Sequence, residues 1–322
     1  MMNVEDFLYG EFHLEQVLLD ILETGAVQRL KNIHQGGASY LVNPEWNVTR
    51  YEHSVGVMLL IRKLGGSIRE QIGGLIHDIS HTAFSHVIDL VMKNKDQDYH
   101  DKIFPDIFST SEIPGILQKH GYAPDEILPI DQWPLLEKPL PDLCADRIDY
   151  TLRDLVTYNK ITIEEAASFL RELTLQENKI CISHIDAAEW FVETYYREVI
   201  DFFLDPLNVL GYAVLSDVLS EALLRQILTV SELGKNDAEV WKTLTSSKDP
   251  VIQAKIGRLS KDMVEDERNF HYHTKKKIRI IDPLVYHKNG IRRGSEISRK
   301  ITCLNEEALR RSQKGVYIRL VD

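Results

Sequence analysis

The side chains with the most chemical potential lie close together in the first third of the chain. Arg50-Tyr-Glu-His53-Ser-Val-Gly56 is followed by Leu75-Ile-His77-Asp78-Ile-Ser-His81-Thr-Ala-Phe-Ser-His86-Val-Ile-Asp89. Five groups able to ligate a metal or carry a proton fall in positions 77–89. His77 and His81 are four apart, and the pairs Asp78–His81 and His86–Asp89 are three apart. A helix running through them would put these neighbours on one face. Burying His and Asp together costs hydration, which a metal ion or a complete hydrogen-bond network must offset. A lone histidine such as His34, His120 or His184 is ordinarily a surface or satisfied core residue; the set at 77–89 is not explained that way.

Helices must position these groups. Leu14, Val17, Leu18, Ile21 and Leu22 recur at helical spacing, which predicts a helix within 12–33. A second is expected from Ser54 to Leu64, ended by Gly65-Gly66, and Ser67 can cap a third running from Ile68 toward Ile79. Gly73-Gly74 inside that third helix costs about 1 kcal/mol per residue relative to alanine, so close packing of another backbone is the expected return. Residues 93–101 read as a polar loop or helix end. Seven of the eleven prolines fall in 105–141, where short helices and turns are expected. Helices resume over 142–158, 163–173, 187–203 and 207–230, with Asp205-Pro206 as a break. After about residue 270 the character changes: Lys277-Ile-Arg-Ile-Ile281, running into Asp-Pro-Leu-Val-Tyr, and the stretch 315–321 both read as strands. The expected fold is mainly α. A helical domain spans 1–232, and a C-terminal helical and small α/β subdomain spans 233–322.

The chain has 322 residues with 38 basic and 49 acidic side chains, a net charge of −11. Hydrophobic residues at 43% and charged residues at 27% exclude a disordered chain, a collagen-like chain or a coiled-coil rod. No stretch reads as a membrane span, and the N-terminus lacks the basic start and apolar run of a signal peptide. Cys144, Cys181 and Cys303 are too few and scattered for a disulfide framework. A reduced, cytoplasmic protein is expected. The acidic balance argues against a nonspecific nucleic-acid coat, because counterion release needs clustered positive charge. A cleft with its own local field can still take an anionic substrate.

A third motif, Cys144-Ala-Asp146-Arg147-Ile-Asp149-Tyr150-Thr-Leu-Arg-Asp154, joins the first two. His53, His77-Asp78 and Asp146, with gaps of 23 and 67 residues, together resemble the HD-domain metal-dependent phosphohydrolases. The resemblance runs from about residue 25 to 205, and it is strongest to the branch of deoxynucleoside triphosphate triphosphohydrolases. It implies an HD-domain helical bundle in which His53, His77, Asp78 and Asp146 bind one divalent cation. The mixed N/O set suits Mn, Fe, Ni, Zn or Mg. The resemblance also implies an acid/base role for His86 with Asp89, and active-site positions for His81 and His100. Arg50 and Arg147 match phosphate-binding cations, Gln35 a residue reading the sugar region, and Tyr150 and Asp154 a sugar-stacking and 3′-hydroxyl-binding pair. Arg197 loosely matches a further triphosphate-binding arginine. The tyrosine and glutamine expected eight and nine residues later are replaced by Asp205 and Pro206. Partners implied are a nucleotide substrate and further copies of the chain, as a homodimer or higher homo-oligomer.

Three other readings compete. His77-Asp78-Ile-Ser-His81 superficially fits the zinc-protease pattern with Asp for Glu, but leaves His53 and Asp146 without roles. Residues 275–300 carry nine Lys/Arg against Asp282 and Glu296, a candidate phosphate surface for nucleic acid or a single-strand nuclease. A nucleotide-binding protein without catalysis is the third. The intact metal positions favour a hydrolase over this third reading, and the resemblance implies hydrolysis of a deoxynucleoside triphosphate to nucleoside and triphosphate, with an HD-type nucleotidase or phosphodiesterase as the alternative.

Overall fold

A computed structural model describes residues 3–260, 262–275, 277–288 and 290–321. It is mainly α-helical. The central packing unit is a helix at Arg50–Lys63, flanked by helices at Ile68–Ile76 and Ala145–Thr157. Thr49 starts the first through a reciprocal capping box with Glu52, and Ser67 caps the second. The expected helix at 54–64 therefore begins four residues earlier, bringing Arg50 and His53 onto it. Gly74 lets the first two helices approach: a β-carbon there would lie 2.7 Å from the Ile61 side chain. At Gly73 the close neighbour is the Trp133 ring rather than backbone.

A long helix at Pro206–Leu224, capped by Asp205, completes the core. By length and composition it could cross a membrane. Here Val209, Leu210, Val214, Leu215, Val218 and Leu219 are buried in the protein core. The helix expected over 187–203 is Ile185–Tyr196 continued by a π-helical turn at Arg197–Phe202.

Among the described residues three small sheets complete the fold. A hairpin pairs Asn3–Asp6 with Gly10–His13. A four-stranded sheet runs in the order Leu173–Gln176, Lys179–Ile182, Leu284–His287, Gly290–Arg293, with the central pair parallel. In a three-stranded sheet Val316–Leu320 lies between Met263–Glu265 and Tyr272–Thr274. The strand expected at 315–321 is thus present, whereas 277–281 joins no strand among the described residues and the ladder starts at Leu284. The 173–182 hairpin and the helices Asp237–Ser246, Pro250–Ile256 and Arg299–Lys314 were not legible as such in the sequence. Among the described residues a large hydrophobic core runs from Leu8 to Ile318, beside a small cluster of Val48, Tyr158 and Phe202.

Candidate active site

The helix carrying Gly73-Gly74 ends at Ile76, short of the expected Ile79, and His77 is its cap. Residues 77–86 then run through turns before a short helix at Val87–Val91. This corrects the expectation that His77 and His81 share a helical face. They instead serve two adjacent imidazole groups. One is His53, His77 and Asp146; the other is His81, His86 and His100, and within each the ligand atoms all lie within 4.8 Å of one another. Asp78 lies between them, with Oδ1 3.4 Å from His77 Nε2 and 3.2 Å from His81 Nε2.

Phe84 and Ser85 adopt left-handed backbone, at φ 61° and 50°, where β-carbons cost about 1–2 kcal/mol per residue. The turn is held from a distance. Asp237 accepts from the Phe84 amide and from His34, and Ser85 donates to the His34 carbonyl. That turn carries His86 to the cavity while the Phe84 ring is fully buried.

The first group is arranged for a cation. His53 donates from Nδ1 to Asp149 at 2.8 Å, and Nε2 lies 3.0 Å from Asp146. His77 donates from Nδ1 to the Gly74 carbonyl at 2.8 Å, and its buried Nε2 has no hydrogen-bond partner among the described residues. Both tautomers are therefore set with Nε2 turned to the carboxylates, as metal-ligating imidazoles are. Burial opposes charge on His53, yet the hydrogen bonds with Asp146 and Asp149 carry its pKa up to about 10. His77 is raised by the same kind of field, from Asp78 and Asp146, against burial. The carboxylates demand positive charge between them. A divalent ion would supply it and leave both rings neutral, so the residues fit the group. A carboxylate missed in the sequence supports this set: Asp149 accepts from His53, Arg153 and Tyr9 and is fully buried. Its only sequence signal is its place one turn after Asp146.

The second group is neutral by construction. Burial, then the Arg50 guanidinium and His100, hold the His81 pKa well down. Burial and His86 take His100 down to about 3. His81 and His100 stack at 4.1 Å, and His86 Nδ1 bonds Asp89 at 3.0 Å. Asp89 is fixed in turn by Asn94 and the Tyr99 amide. His100 lies in the first turn of the Tyr99–Thr110 helix.

Both groups open into a cavity of about 450 Å³ that Gln35, Arg50, Arg147, Tyr150 and Asp154 also line. Gln35 donates to Asp154 at 3.0 Å. Arg50 is tied to Asp78 at 2.8 Å and to Ser85 at 3.0 Å. Arg147 is turned onto the Asp142 and Lys138 carbonyls and Cys144 Sγ. Arg197 does not join the site: it pairs with Glu193 one turn earlier, at 3.0 Å, and is 40% exposed. The sequence also missed Phe203 and Tyr212, which reach the cavity from the segments around it.

The predicted basic surface divides. Arg292, Arg293 and Lys300 are paired with Glu296, Asp142 and Glu193. Lys275, Lys277 and Arg279 line the cavity instead. Lys276 lies outside the described residues.

Residues 50–154 match the HD domain family. An uncharacterised protein of Bacillus subtilis, YdhJ, is 48% identical over 99% of this chain and 99% of its own. The metal-dependent phosphohydrolase cns2 of Cordyceps militaris is 32% identical, covering 88% of this chain and 84% of its own. The deoxynucleoside triphosphate triphosphohydrolase SAMHD1 of Homo sapiens is 26% identical over 83% of this chain, which spans 44% of that enzyme. A solved phosphohydrolase structure from Bacteroides thetaiotaomicron superposes with a TM-score of 0.73 at 17% identity, covering 99% of both chains. With its His/Asp centre, its fold and these relatives, the chain belongs to the HD-domain metal-dependent phosphohydrolases.

Proposed function

We propose that this phosphohydrolase acts on nucleotides, and that its preferred reaction is hydrolysis of a deoxynucleoside triphosphate to the deoxynucleoside and triphosphate. The observation that carries the reading is the convergence of His53, His77, Asp78 and Asp146 at one wall of a cavity of nucleotide size. When bound by these four residues, a divalent ion supplies Lewis-acid polarisation of a phosphate oxygen. The chain's own residues do the rest. The Asp89 carboxylate takes the Nδ1 proton of His86 as a hydrogen bond, leaving Nε2 to hold or move the proton of the ester oxygens or the attacking water. Attack at the α-phosphorus requires the sugar to be held in line, the role read for Tyr150, Asp154 and Gln35. SAMHD1 of Homo sapiens is named for this reaction, and it supports the substrate class. The same reading keeps the protein in the cytoplasm as a homo-oligomer.

The test is a screen of nucleoside mono-, di- and triphosphates with several divalent metals, with products separated by chromatography. Release of intact triphosphate is expected. Release of single orthophosphates from every substrate would replace the triphosphohydrolase reading with that of a general nucleotidase. Wild-type turnover by His77→Ala/Asp78→Ala protein would remove the proposed centre altogether.

A further inference from the structure

The cavity's positive charges are unequally committed. Arg50 is engaged by the Asp78 carboxylate, and Arg147 by backbone carbonyls and a sulfur. Arg197 lies elsewhere, on Glu193. Beside Lys138, the uncommitted cations come from the far end of the chain: Lys275, Lys277 and Arg279 line the cavity, and among the described residues none of them is ion-paired. Their contacts are with neutral groups. Arg279 donates to the Lys277 carbonyl at 3.3 Å and to Gln97 Oε1 at 3.2 Å, and its guanidinium lies 5.6 Å from the centre of the Phe203 ring. Lys277 reaches the Asp96 carbonyl at 3.5 Å. Arg279 is half-buried, and its charge is felt by His86, Tyr150 and Tyr212 from across the cavity.

Cations left unneutralised beside a concave site, three of them on one short stretch of chain, call for an anion in a protein of net charge −11. The ring of Phe203 holds the guanidinium plane, which leaves a planar fork suited to bidentate binding of phosphate. We infer that Lys275, Lys277 and Arg279 form the phosphate-chain clamp of this site. Arg279 grips the phosphates beyond the one at the metal centre, Lys275 and Lys277 hold the outer oxygens, and the clamp sets a preference for polyphosphate over monophosphate nucleotides. The inference rests on the nucleotide reading above and assigns the triphosphate-binding part to the C-terminal segment rather than to Arg197.

The experiment titrates inorganic tripolyphosphate into the full-length protein by calorimetry, in buffer without added divalent ions. Arg279→Gln should weaken binding about tenfold or more, as expected for losing a charge-assisted pair. Lys275→Gln/Lys277→Gln should weaken it and flatten its salt dependence. Those two side chains are exposed, so this variant carries the test if Arg279→Gln is poorly folded. Arg279→Lys should recover part of the affinity, keeping charge without the fork. Arg299→Gln, an exposed cation of the same basic run, serves as the control and should bind as wild type. With nucleotides, the KM of Arg279→Gln should rise more for a triphosphate than for the matching monophosphate. Wild-type tripolyphosphate affinity in both clamp variants would overturn the inference even if nucleotides are hydrolysed. Clamp-dependent binding in a protein that hydrolyses no nucleotide would instead overturn the nucleotide reading and leave the anion site standing.

Discussion

Gly56 lies three residues after His53, where the Arg50–Lys63 helix faces the Ala145–Thr157 helix. A β-carbon there would stand 2.0 Å from Arg153 Nη2 and 2.1 Å from Asp149 Oδ2. Neither atom can yield easily, because Asp149 is 0% and Arg153 1% exposed. Arg153 bridges Asp149 and Asp6, and Tyr9 donates to the same Asp149 oxygen at 2.8 Å. Helix propensity alone would favour Gly56→Ala by about 1 kcal/mol. Against it stand overpacking, about 1–3 kcal/mol, and disruption of a buried ion pair, about 3–5 kcal/mol. Even at the lower ends the loss exceeds the gain by about 3 kcal/mol, a large part of the roughly 5–15 kcal/mol that holds a domain together. The damage should also reach the metal. Displacing Asp149 frees the Nδ1 proton of His53, and loss of such a supporting bond typically costs about 10–100-fold in metal affinity. Thermal melting by circular dichroism and competition with a chromophoric chelator would be run on wild type, Gly56→Ala and Asp149→Asn. Both variants should melt lower and hold metal more weakly. A Gly56→Ala protein that melts at or above wild type, with undiminished metal affinity, would refute the reasoning, since propensity would then outweigh the close approach.

Two further outcomes are expected. Burial, with Asp149 adding to it and His53, Gln35 and Glu198 opposing it, pushes the Asp154 carboxyl up to about 7, and burial with Asp154 raises Glu198 well above its ordinary range. A native pKa above the unfolded one favours the protonated folded state. That contribution is complete below the ordinary value of 3.8 and is lost as pH rises through about 7. Urea unfolding between these limits should therefore lose stability more steeply in wild type than in Asp154→Asn/Glu198→Gln, and equal slopes would count against the raised carboxyls. His86→Ala should lower kcat by about 10²–10⁴ while metal content, read by plasma emission, stays at the wild-type level; loss of metal would make that ring a ligand instead.

The local signals in the sequence were strong where the chain settles its own geometry. Thr49 with Glu52, and Ser67 with the Glu70 amide, start the two helices that flank the metal centre, and each acts within three residues. The apolar spacing of 207–224 likewise sufficed for a core helix. The end at Ile76 was not legible, because no glycine or proline stops the helix there. His77 turns back onto the Gly74 carbonyl, and Asp237, more than 150 positions away, fixes the strained turn at 84–85. The strand register failed for a related reason. Residues 277–281 alternate as a strand would, but backbone pairing needs an edge, and the edge of Lys179–Ile182 is met by Leu284 and Val285.

The sequence by itself determined which side chains have the chemistry to ligate a cation and that Asp146 lies on a helix, since residue chemistry and helix caps are local properties. Only the tertiary structure decided that His77 and His81 serve different groups, that Asp149 stands behind His53, and that Arg279 rather than Arg197 faces the cavity. The physical reason is that a side chain's partner is chosen by what packs against it. Whether a carboxylate is available to neutralise a given arginine depends on segments far apart in the chain, a property that residue spacing does not encode.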